Sequence, residues 1–149
     1  EGAWARVLNQ AMAVLAAEML GSARELCERT IEYLKEREQF DVKIGSFQAL
    51  QHRAAHMYSE LELSQAAVDA ALIAFDTQGS DQCAMASAAK ALANECFHLI
   101  SDEAVQMHGG MGVTDALDIG LFLKRSRVCN QLLGDTHWHH LRYADRSGF

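Results

Sequence analysis

Apolar residues recur every three or four positions through most of this chain, the spacing of a single buried helix face. The first such stretch runs from about Ala3 to Arg37 and is carried by Trp4, Val7, Leu8, Ala11, Val14, Leu15, Met19, Leu26, Ile31 and Leu34. Gly21 and Ser22 interrupt it, which predicts close helix packing or a slight bend. Positions 39–45 then read as a connector, with Asp41 and Gly45 as turn residues. Ser46 is the candidate N-cap of a second helix. Phe47, Leu50, Ala54, Met57, Leu61 and Val68 keep that helix amphipathic to about Asp76. Gln78-Gly79-Ser80-Asp81 marks a break. A third helix is expected from about Asp81 to Met107, with an alanine-rich face at Ala84, Ala88, Ala91 and Ala93. A fourth is expected from about Thr114 to Leu133, and a last helical piece from Trp138 to Asp145 after the break Gly134-Asp135-Thr136. No alternating strand pattern stands out. Four long amphipathic segments with short connections predict an all-α, up-down four-helix bundle with a short extra C-terminal helix.

Composition agrees. Proline is absent from the 149 residues, and half of them are hydrophobic. That length suits one domain with a real core. The net charge of −7 and the lack of any long basic tract argue against nucleic acid as a partner. No apolar run approaches the roughly 20 residues of a membrane span. Cys27, Cys83, Cys96 and Cys129 are widely spaced without a Cys-x-x-Cys pair, which suits buried thiols in a reducing, cytoplasmic setting. The chain opens at Glu1 almost directly into helical sequence, as a piece of a longer protein would.

Chemistry narrows to few places. Glu95-x-x-His98 matches a di-iron spacing once, whereas such a bundle needs the motif twice plus two further carboxylates. His52 and His56 share a helix face but have no third ligand nearby. His137, His139 and His140 point in different directions on a helix. No metal site is expected. The informative segment is 106–114, Gln-Met-His-Gly-Gly-Met-Gly-Val-Thr. Its glycines permit positive φ and close backbone approach, and Thr114-Asp115 reads as a helix N-terminus suited to an anion. Arg37, in Glu36-Arg37-Glu38-Gln39-Phe40, is the candidate for bidentate phosphate recognition.

Three segments in series resemble the C-terminal domain of the acyl-CoA dehydrogenases. They are Arg37-Glu38-Gln39-Phe40 with Ile44, Phe47-Gln48-Ala49 and Gln51-His52; then Gln106-Met107-His108-Gly109-Gly110-Met111-Gly112; then a degraded ending, Gly134-Asp135-Thr136-His137-Trp138. The resemblance implies a bundle at a subunit interface that covers FAD held largely by a neighbouring subunit. By position, Arg37 would meet the FAD pyrophosphate, with Gln39 and Gln48 on the same cofactor. Gln106, Met107, His108, Gly109 and Gly110 would pass along the dinucleotide, and Thr136 and Trp138 would border the second FAD. The implied reaction is α,β-dehydrogenation of an acyl-CoA thioester, with electrons passed to an electron-transfer flavoprotein. The usual catalytic glutamate is missing: Gly134 stands at one family position for it and Ala11 at the other, with Met12 and Asp41 as further departures. Three readings stay open. Asp135 is a displaced base, the base lies outside this chain, or the chain is the non-catalytic member of a mixed oligomer, the favoured reading. A purely structural oligomerisation bundle without cofactor is the alternative. Alone, the domain is expected to be inactive. The two differ in whether Arg37, Gln48 and Gln106 gather at one edge near Gly109.

Overall fold

The computed structural model describes residues 2–79 and 81–148. Helix α1 (Ala3–Glu36) is followed by a hairpin of two-residue strands, β1 (Glu38–Gln39) and β2 (Val42–Lys43). Helices α2 (Gln48–Asp76), α3 (Gln82–His108), α4 (Ile119–Gln131) and α5 (Thr136–Ser147) complete the chain. The all-α bundle expected from the pattern is present. Side chains record its up-down course. Arg24 of α1 reaches Glu62 and Gln65 of α2, and Arg53 of α2 pairs with Glu103 of α3. Arg125 of α4 clasps Glu18 of α1 with both carboxylate oxygens. The C-terminal ends of α1 and α3 and the N-terminal ends of α2 and α4 therefore share one end of the bundle.

The core is filled by Ala16, Met19, Ala23, Leu26, Met57, Leu61, Ala89, Phe97, Ile100 and Ala104, each buried. Small residues dominate the α3 contribution, so other helices approach closely. α3 packs against α1, α2, α4 and α5 and forms the centre of the bundle.

Five expectations need correction. The connector after α1 holds a β-hairpin, Glu38 opposite Lys43 and Gln39 opposite Val42. Its two turn residues, Phe40 (φ 56°) and Asp41 (φ 62°), are both left-handed, as a tight type I′-like turn requires. Neither is glycine, so the usual hairpin signal was absent. Ser46 does not cap α2: its hydroxyl donates back to Lys43 O, and Phe47 occupies the cap position. Thr114 does not start α4 either. Its hydroxyl donates to Met111 O at 2.9 Å, and turns carry the chain on to Asp118, the true cap position. No element packs closely on Gly21, where a Cβ would meet nothing within 4 Å, and α1 runs through Gly21 and Ser22 as one helix, Ser22 donating to Glu18 O. The last helix begins at Thr136 and not Trp138, because the Asp135 carboxylate accepts the Trp138 N–H at 2.8 Å. The expected break before α3 includes Ser80, which lies outside the described residues; on its near side Gln78 is left-handed at φ 54°.

Candidate functional site

The shared end of the bundle opens into a cleft of about 400 Å³. Tyr33, Arg37, Gln39, Ile44, Met107, His108, Gly109, Gly110 and Met111 line it. One wall begins where α1 stops. The N–H of Arg37 still closes a helical bond to Tyr33 O, but Arg37 itself is extended, and the hairpin swings over the helix end. Gly45 permits that fold-back, since a Cβ there would lie 2.8 Å from Leu34 O. Ile44 is thereby pressed into the cleft floor.

The opposite wall is the glycine segment, and its three glycines have different reasons. Gly109 ends α3 at φ 58°, ψ −137°, a conformation nearly restricted to glycine. Gly112 is required by packing, because a Cβ would sit 2.6 Å from Val105 O. Gly110 has neither constraint; a Cβ there would meet no atom within 4 Å. Its missing side chain leaves open space facing the cleft.

Between the walls, His108 is buried and donates from Nδ1 to Ala104 O at 2.7 Å, while its ring stacks on Tyr33 at 4.2 Å. Met107 is likewise packed into the core. These two residues shape the cleft and spend little of themselves on its mouth. Arg37 is the reverse. It is exposed and makes no side-chain hydrogen bond or ion pair among the described residues. Gln39 donates to the adjacent Glu38 O. Lys43 of the hairpin pairs with Glu38 at 2.7 Å and holds that carboxyl below its ordinary value, so its charge is neutralised locally whereas that of Arg37 is not.

Six of the ten sequence-predicted binding residues therefore line one cleft. Gln48 and Gln106 sit at the same end of the bundle but outside its lining, at the start of α2 and in the last turn of α3. Thr136 and Trp138 lie elsewhere, at the start of α5. That helix rests on the other half of α3, where Lys90 bonds Gly134 O and Ser87 bonds Arg142. Lys90 and His108 are separated along α3 by about 27 Å of helical rise. Tyr33, Ile44 and Met111 were missed. Tyr33 was within reach of sequence reasoning, since it lies one helical turn before Arg37 and shares its face.

Just before Thr136 there is no room for a side chain, although Trp138 itself is exposed. Gly134 has φ 109°, and a Cβ would fall 2.6 Å from the Trp138 ring. His139 is fully buried and its Nε2 lies 3.1 Å from Leu133 O. Burial, with the neighbouring Lys90 charge second, pulls its pKa down to about 4. Trp138 is edge-on to His139 and lies under the Arg142 guanidinium at 5.2 Å. Ala11 offers no acid on α1. Among the described residues, no group of three or more His, Cys, Asp or Glu side chains is placed to hold a metal ion.

The family model described as "Acyl-CoA dehydrogenase, C-terminal domain" matches residues 3–147. The chain belongs to the acyl-CoA dehydrogenase family. Acyl-CoA dehydrogenase IpdE2 of Mycolicibacterium smegmatis is 38% identical over 126 residues, covering 85% of this chain and 39% of that protein. A structure of the Tcur3481-Tcur3483 steroid ACAD G363A variant shares 31% identity and a TM-score of 0.92, over 97% of this chain and 40% of its own. PigA, solved with FAD and proline, shares 26% identity and a TM-score of 0.90, over 95% of this chain and 37% of its own. The chain thus spans about two-fifths of the length of these acyl-CoA dehydrogenase family relatives. No helix among the described residues is long and apolar enough to cross a membrane.

Proposed function

We propose that this chain is the FAD-facing C-terminal domain of a flavin-dependent acyl-CoA dehydrogenase, and that it belongs to the non-catalytic subunit of a mixed oligomer. The observation that carries the cofactor reading is the pairing of an unspent guanidinium, Arg37, with the uncovered backbone at Gly110 across one cleft. A pyrophosphate needs such a donor set: a planar cation that can bond two oxygens, and main chain that an anion can approach closely. The six predicted residues among the nine that line the cleft suit FAD on that chemistry, with Gln48 and Gln106 extending the contact along the same end. Thr136 and Trp138, at the start of α5 against the far half of α3, would meet a second FAD. FAD, when bound, would supply acceptance of the substrate's β-hydride.

An open cleft at a bundle end holds a dinucleotide poorly by itself. Exposed apolar side chains, among them Trp4, Val7, Val14, Leu121 and Leu141, fit burial against other domains or subunits of the assembly, and electron-transfer flavoprotein remains the natural electron acceptor. Four free, buried cysteines suit a reducing, cytoplasmic setting.

The non-catalytic assignment rests on three positions. Ala11 has no acid, Gly134 has no space for one, and Asp135 spends its carboxylate capping α5. An α-proton must be taken by a positioned base, which the partner subunit would supply. The test is FAD titration of the full-length assembly carrying Arg37→Gln. Losing a charge-assisted pair of about 1.5–3 kcal/mol should weaken FAD roughly 10- to 100-fold. An unchanged affinity would remove the cofactor reading and leave a structural bundle. Asp135→Asn separates the base readings: unchanged turnover fits the non-catalytic role, while loss of turnover at normal FAD content would restore Asp135 as the base.

A further inference from the structure

Lys90 is the one lysine sealed in the core of the bundle, with 0% of its surface exposed. Filling space does not explain it, because methionine or leucine would fill the same volume without burying a charge. Its three protons meet three acceptors. Nζ donates to Asn94 Oδ1 at 2.6 Å, to Cys129 O at 2.9 Å and to Gly134 O at 3.3 Å. Cys129 lies in the last turn of α4, where carbonyls lack onward helical partners. Gly134 lies in the turn that follows. That turn carries two consecutive left-handed residues, Leu133 (φ 61°) and Gly134 (φ 109°). His139 takes the preceding carbonyl, Leu133 O, from the α5 side, so two buried side chains grip successive carbonyls of the turn.

We propose that Lys90 is a positioning residue whose ammonium clasps the turn between α4 and α5 and so sets the edge that Thr136 and Trp138 present to the dinucleotide. The part concerning the dinucleotide rests on the function proposed above; the clasp itself does not. The ammonium form fits the site because each of its three protons has an acceptor. A neutral amine has two protons and would leave one carbonyl facing a lone pair. Burial pulls Lys90 down to about 8, so the clasp loosens as pH rises from 7 to 9. The charged and titratable groups around it are Asp135 on the turn, Cys129 on α4, and His139 with Arg142 beyond it on α5. In that window His139 stays neutral, and burial raises Cys129 and so favours its thiol. Lys90 is then the group of this set whose charge changes.

The experiment uses the full-length protein with two readouts. Hydrogen exchange of the flavin-free form reads the clasp, and FAD titration at pH 7 and 9 reads its consequence. Lys90→Met should exchange the amides of 132–138 at least tenfold faster and bind FAD at least tenfold more weakly at pH 7. Wild type should lose several-fold in FAD affinity between pH 7 and 9, and the variant should lose that pH dependence. Unchanged exchange at 132–138 overturns the clasp. Faster exchange with unaltered FAD affinity and pH profile overturns the positioning role and leaves Lys90 as a brace of the fold. Should Lys90→Met not fold, Asn94→Ala removes one of the three acceptors and is expected to shift both readouts the same way by less; no shift in either overturns the proposal. Arg37→Gln, run alongside, keeps the two claims apart. Full FAD retention in that variant faults the cofactor cleft, while the exchange result still decides the clasp.

Discussion

Two cationic regions lie along the same helix and treat their charge in opposite ways. At the C-terminal end of α3, Arg37 stands exposed beside Gly110, with no partner for the guanidinium among the described residues and no side chain over the loop. Beside the other half of α3, the cations are engaged by the fold itself. Lys90 meets three acceptors, and Arg142 reaches Asn9, Ser87 and Cys83 while covering Trp138. A buried donor left unpaired costs about 1–3 kcal/mol, so the sealed ammonium of Lys90 needs its acceptors for the fold to stand, although Asn94 Nδ2 and His139 Nδ1 beside it have no partner among the described residues. An exposed donor carries no such penalty and remains available to a ligand. The difference separates charge used to build the bundle from charge left for binding.

The comparison breaks first at the glycines. Gly134→Glu places a side chain against the Trp138 ring at a left-handed position, and overpacking of this kind costs about 1–3 kcal/mol before backbone strain is added. Urea denaturation should show a loss of about 3 kcal/mol or more, and dehydrogenase turnover of the full-length protein should not rise. A variant that is stable and gains activity would show that the region is open after all. Gly112→Ala, whose Cβ would meet Val105 O, should cost about 1–3 kcal/mol in the same assay.

Acid sharpens the buried side. Burial holds His139 down to about 4, so the folded state takes up its proton later than the unfolded chain does. The stability that follows is complete above pH 6.5 and is lost as pH falls toward 4. The melting temperature should drop across that window, and His139→Gln should flatten the drop. The smallest effects belong to the open cleft. Arg37→Gln and Gly110→Ala should each change stability by no more than about 0.5 kcal/mol, while both weaken FAD binding by the full-length assembly. A large loss of stability in either would place that residue among the structural ones.

The same division governs what the sequence could reveal. Helical spacing located four of the five helices within two or three residues, because a buried stripe such as Met19, Ala23 and Leu26 depends on periodicity alone. The pattern starts the fourth helix five residues too early, since Thr114 looks like a cap and only its bond to Met111 O shows otherwise. The hairpin was invisible because Phe40 and Asp41 adopt left-handed angles without glycine. Arg37 and Gly110 were legible through spacing and resemblance. Their meeting in one cleft depends on the hairpin and on Gly45, which local pattern does not express. His139 stands out in the sequence only as one of a histidine cluster, and Lys90 gives no signal: a lysine in an alanine-rich helix reads as surface, and its burial is set by α4 and α5 from far along the chain.

The most direct test is a structure of the full-length assembly with FAD bound. The account predicts the pyrophosphate within hydrogen-bonding distance of the Arg37 guanidinium, with the main chain of Gly109 and Gly110 alongside it. FAD bound elsewhere, with Arg37 left in solvent, would contradict it.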